Sequence, residues 1–134
     1  MEYLIGLVLT LAIIGGCIAV GLERDRAYYP LILIVIAFYY VLFAAMDPSG
    51  RALVAEIAVA CVFSLLAVLG FKKSLWLVAG AFAAHGAFDL VHHLLIDNAG
   101  VPHWWPGFCL ASDVVFAAVI AVRVPRQQPQ RGEI

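Results

Sequence analysis

Charge is scarce in this sequence. Only 13% of its 134 residues are Asp, Glu, Lys or Arg, against 65% hydrophobic, and the mean hydropathy is +1.02. A soluble domain of this length has too little interior to hide so much apolar surface, since ordinary globular usage is roughly 45–50% apolar. Lipid is therefore the expected solvent for most of the chain. The net charge of -1 implies neither an acidic partner nor nucleic acid, and no nucleic-acid partner is expected. Cysteine is also short. Cys17, Cys61 and Cys109 are odd in number, dispersed through apolar segments and without a CxxC or zinc-type spacing, which argues against a disulfide framework. HExxH is absent, as are an internal repeat and a stretch polar enough to form a soluble domain.

What is present is five apolar runs, each near the ~20 residues that span a bilayer. They cover about 3–22, 28–46, 52–70, 75–96 and 107–122. Charge or turn chemistry ends each of them. Glu23-Arg24-Asp25-Arg26 closes the first as a self-neutralising cluster. Asp47-Pro48-Ser49-Gly50 closes the second, Lys72-Lys73 the third, and Asn98 to Pro102 the fourth. Pro30 stands at the first turn of the second run, where a missing N–H costs least. The expected fold class is all-α, an integral membrane bundle of five transmembrane helices forming one domain over 1–122, with a polar tail at 123–134. The first run is expected to be a retained helix, because no basic residue precedes it and no small-x-small cleavage site follows.

Basic residues orient the bundle. With five spans, Arg24, Arg26, Lys72, Lys73, Arg123, Arg126 and Arg131 share one side, and Arg51 alone lies on the other. The positive-inside rule then predicts an N-terminus outside and a cytoplasmic tail, in a bacterial inner membrane. The loop carrying His103-Trp104-Trp105 faces outward.

The chemistry is concentrated between Gly80 and Asp113, which hold all four histidines (His85, His92, His93, His103) together with Asp89, Asp97, Cys109 and Asp113. Ionisable groups inside apolar helices are costly and mark functional sites by default. At ~1.5 Å of rise per residue, His92 and His93 fall within ~6 Å of the outer boundary, Asp89 and Asp113 ~10 Å deep, Glu56 ~7 Å and His85 ~16 Å. Three carboxylates on three helices thus share one layer of the outer leaflet. His85, Asp89 and His92 lie on one helical stripe, and Cys109 and Asp113 are one turn apart. Isolated carboxylates in hydrocarbon cost roughly 2.5–3.5 kcal/mol each, so convergence that lets them pair, share protons or bind a cation is expected.

Two chemistries suit these residues. His, Asp and Glu are ligands for zinc, iron or manganese. His85 and His92 are ~10 Å apart along the axis, so the expected ligand set is Asp89 with His92 or His93, completed by Asp113, Glu56 or His103. Alternatively Asp89, Asp113 and Glu56 work as acids or bases with His92, and His85 supports them. Haem is disfavoured, since the three intramembrane histidines share one span. Cys109, with His103 and Asp113 in reach, is a candidate nucleophile or packing residue. His103, Trp104 and Trp105 are read as a lid that stacks a ligand, or as the aromatic belt of the membrane interface. Tyr39 and Tyr40 are read as packing residues or as donors of hydrogen bonds into the bundle. The ligand is expected to be a membrane lipid, an isoprenoid or another hydrophobic small molecule. A non-catalytic subunit of a larger membrane complex is the alternative, and a homo-oligomer is compatible with either.

The pattern His85-Gly86-x-x-Asp89, followed by Trp104-Trp105-Pro106-x-Phe108-Cys109 and Asp113, resembles that of a small bacterial multi-pass membrane family of unknown function whose members are about this length. The resemblance implies a membrane protein with a polar site across all five spans and supplies no activity. Looser similarity extends to sterol-isomerase-like bundles, which use intramembrane acids and histidine, and to ceramidase-like hydrolases, which hold zinc with His and Asp. The chain matches neither group's full motif.

Overall fold

The computed structural model describes residues 1–127, and among these it is entirely helical. The elements are α1 (Glu2–Val20), a short 3-10 turn (Leu22–Arg24), α2 (Tyr28–Met46), α3 (Leu53–Lys72), α4 (Leu75–Leu95) and α5 (Trp105–Gln127). All five α-helices are long and apolar enough to cross a membrane.

Local chemistry explains the boundaries. α1 stops at Gly21, whose φ of 85° is left-handed and lets its N–H return to the Ile18 carbonyl. Pro30 sits in the first turn of α2. Between α2 and α3, Asp47 accepts from the Ser49 hydroxyl at 2.7 Å and Gly50 takes a φ of 62°. The Ser74 hydroxyl caps α4 by accepting from the Trp76 N–H.

The helices pack in a chain. α1 lies against α5, α5 against α4, α4 against α3 and α3 against α2, and α2 touches α4 and α5 more lightly. The α4·α5 contact is the most extensive. Half of α4's span is buried, compared with 17% of α1's, so α4 is the central element and α1 is mostly exposed to the surroundings of the bundle. The apolar core includes Leu33, Phe63, Val78, Phe82, Phe116 and Ile120. α1 approaches α5 closely at Gly6, where an added Cβ would stand 2.6 Å from the Phe108 carbonyl oxygen. Thr10 donates to the Ser112 hydroxyl at 2.8 Å in the same interface. Small residues permit such close helix contacts in membranes.

One end of the bundle departs from the expected self-neutralising cluster and polar tail. Glu23 is buried and takes both guanidinium donors of Arg123, while Tyr29 donates to it at 3.3 Å. Arg26 donates to the Phe71 carbonyl, and Asp25 accepts the Ala27 N–H. Three of the four charges in the run thus serve different elements. Because Arg123 has a partner, α5 continues past it and through Pro125 to Gln127. The rest of the expected tail, 128–134, lies outside the described residues. These contacts put the α1–α2 loop, the α3–α4 loop and the end of α5 at one end, as the distribution of basic residues predicts. At the other end, Gly107 packs against Glu2 and Tyr3.

Candidate metal centre

Four chemically competent side chains meet where α4 crosses α5. His85 and Asp89 are one turn apart on α4, and Cys109 and Asp113 one turn apart on α5, so each helix presents a pair on one face. Gly86 makes the meeting possible. A Cβ there would lie 3.1 Å from Leu110 Cδ1 and 3.4 Å from the Asp113 Cβ. His85 Nδ1 is 2.7 Å from Asp113 Oδ2 and 3.7 Å from Asp89 Oδ2, and the Cys109 thiol is 3.9 Å from Asp113 Oδ2. One ligand atom from each of the four lies within 4.8 Å of the others, and all four residues are buried.

This donor set fits a transition-metal ion. An imidazole, a thiol and two carboxylates match zinc better than calcium or magnesium, which take oxygen ligands. Tetrahedral zinc with bonds of ~2.0–2.3 Å separates its ligands by roughly 3.3–3.8 Å. Side-chain adjustment of about 1 Å would therefore suffice.

A second polar group adjoins the first. His92 Nε2 lies 2.6 Å from Glu56 Oε1, and the Asn98 side-chain N–H donates to the same oxygen at 2.9 Å and to the Tyr40 carbonyl at 3.1 Å. Tyr40 joins the two groups. Its hydroxyl donates to Asp89 Oδ1 at 2.6 Å, and its ring stacks on His92 with centroids 4.1 Å apart and planes at 17°. Four buried atoms in this assembly have no hydrogen-bond partner: Glu56 Oε2, His85 Nε2, Asp89 Oδ2 and Asp113 Oδ1. Unsatisfied polar atoms in a native interior call for a role or a ligand. Three carboxylates against two imidazoles, with no Lys or Arg between 74 and 122, leave an acidic surplus that a cation or protons would balance.

A cleft of about 550 Å³ opens beside the centre at the end of the bundle where α4 stops. Asp89 and His92 lie on its wall, with His93, Asp97, Asn98 and His103 toward the rim, Glu2 and Tyr3 from α1, and Leu90, Ile96 and Leu110 as apolar lining.

The structure sorts the residues singled out from the sequence. Asp89, Asp113 and His85 come together, with His85 in the centre rather than in support. His92 is not brought into the four-residue group, because Glu56 takes its ring nitrogen, and His93 is exposed at the cleft. Cys109 is buried in the group beside Asp113. His103 is exposed on the cleft. Trp105 packs between Tyr39 and Phe43, with ring centroids 4.9 and 5.0 Å away. Trp104 is 52% exposed beside it. Neither tryptophan lines the cleft. Tyr40 takes the inward-donor role of the two expected for it, and Asn98, expected only as part of the break after the fourth run, was missed as a site residue. A phenol in an apolar span does signal a need for a partner, but Asn98 looks like any loop residue.

Compared with protein-family models, curated proteins and solved structures, the chain matches none of them. The family resemblance read from the motif pattern therefore rests on that pattern alone.

Proposed function

We propose that this chain is a multi-pass membrane protein whose buried centre binds a transition-metal ion, zinc first among them, through His85, Asp89, Cys109 and Asp113. In this reading it acts on a small amphiphilic molecule, a lipid or isoprenoid-like compound, admitted through the cleft from the outer leaflet. The observation that carries the proposal is the convergence of these four side chains beside a cleft whose wall includes Asp89. His92, held by Glu56 and lining the same cleft, has the geometry of an oriented general base. The metal would act as a Lewis acid on the polar end of the molecule. The apolar lining would hold the rest.

Metal content of gently purified protein in detergent tests this. Wild type is expected to carry near-stoichiometric metal by mass spectrometry. Asp89→Asn and Asp113→Asn should each lose most of it while keeping their helicity. Metal-free wild type overturns the reading.

A further inference from the structure

The cleft carries a second message in its charges. Its wall holds three carboxylates, Glu2, Asp89 and Asp97, and three histidines, His92, His93 and His103. Among the described residues, no lysine or arginine lines it. The amino group of Met1 stands 3.4 Å from Glu2 Oε2, and among the described residues Asp97 forms no ion pair. Such a lining repels anionic head groups and draws in cations. Low-dielectric walls strengthen the effect by focusing the field.

Acidic lining alone would say little. At its inner end, however, stands Asp89, 1% exposed, with Oδ2 lacking any hydrogen-bond partner. The other carboxylate oxygen of Asp89 is occupied by Tyr40. Asp89 thus belongs both to the cleft wall and to the metal-competent group. The neighbouring residues add to the case. His93 and His103 are exposed at the rim, and imidazole is a suitable ligand for borderline transition-metal ions.

We propose that this cleft is the route by which a divalent transition-metal ion reaches the buried centre, entering from the membrane face that carries the α4–α5 loop. The inference rests on the metal-binding reading above. Asp97, His93 and His103 capture the ion weakly at the rim. Asp89 takes it with its free oxygen, and His85, Cys109 and Asp113 complete the coordination. The rim residues set how fast the ion arrives and not how tightly it is finally held.

The test separates rate from equilibrium. Chelator-stripped protein in detergent is given zinc chloride at low ionic strength, and uptake is followed by competition with a chromophoric chelator. Wild type must first take up zinc. If it takes none, the metal-centre reading fails and the route fails with it. Given uptake, the triple variant Asp97→Asn/His93→Gln/His103→Gln should load on the order of tenfold more slowly, with the stoichiometry of wild type, and added salt should narrow the gap. All three residues are exposed, so the variant is expected to fold. Asp47→Asn lies at the same end of the bundle outside the cleft and should load at the wild-type rate. A triple variant as fast as wild type overturns the route while leaving the centre standing. Equal slowing by Asp47→Asn overturns it too, since general surface charge would then set the rate.

Discussion

Removing the hydroxyl of Tyr40 would leave Asp89 Oδ1 without its 2.6 Å donor, when Oδ2 already has none. A buried acceptor stripped of its partner costs about 1–3 kcal/mol. Tyr40→Phe is therefore expected to lower the thermal stability of the detergent-purified bundle by that amount without loss of helicity. The penalty should shrink when Asp89→Asn is already present, because the two share one bond. Calorimetry on the four members of that cycle checks both statements. A penalty unchanged in the Asp89→Asn background would show that the hydroxyl acts elsewhere. Tyr40 also stacks on His92, so the same side chain borders both polar groups. The sequence leaves packing and inward donation both open for Tyr40, because its hydroxyl partner lies 49 positions away, beyond any local pattern.

Helix contacts set how precisely the centre is assembled. At Gly6 an added methyl would meet the backbone carbonyl of Phe108 at 2.6 Å, whereas at Gly86 it would meet the flexible end of Leu110 at 3.1 Å. Backbone cannot yield as a leucine terminus can. Gly6→Ala is accordingly expected to destabilise the protein by roughly 1–3 kcal/mol, more than Gly86→Ala, although Gly86 is the one beside Asp113. Thermal unfolding of the two variants in parallel decides the order. The contrast also shows what sequence can and cannot convey. The spans were readable from hydropathy, and the pairs His85/Asp89 and Cys109/Asp113 from helical spacing. Which histidine meets which carboxylate was not. That depends on how α4 crosses α5, and the crossing places Asp113 against His85 while Glu56 of α3 takes His92. Depth along a helix constrains only one coordinate of three.

Across the whole molecule, the bundle is tied at its basic end by Glu23 and Arg123, 100 positions apart in the chain. Arg123→Ala would leave the 1%-exposed Glu23 side chain without its counter-charge. Breaking a fully buried pair costs about 3–5 kcal/mol. The Arg123 side chain is 33% exposed, so a loss of roughly 2 kcal/mol is expected, read as a lower unfolding temperature. The sequence assigns Arg123 to a tail because 123–134 is polar and rich in Pro and Gln. Only the partner on the α1–α2 turn shows otherwise. Orientation is tested separately. A fluorescent protein fused to the C-terminus should mature in the cytoplasm, and a cysteine placed at Ala99 should react with a membrane-impermeant maleimide added from outside. The opposite pattern would invert the predicted topology and move the cleft to the cytoplasmic face.

The polar content of α4 has a consequence for biogenesis. Its hydropathy of 1.3 is the lowest of the five helices, against 2.0 for α5 and 2.3–2.5 for the others. Synthesis from the N-terminus delivers Tyr40 on α2 and Glu56 on α3 before α4 emerges, so Asp89 and His92 find partners waiting. His85 does not, because Asp113 is still to be translated. Stable insertion of α4 is therefore expected to wait on α5, and a chain truncated after α4 should insert less completely than one carrying α5, as a glycosylation-site mapping assay would read. In that order of synthesis the fifth helix completes the polar partnership that the fourth cannot make alone.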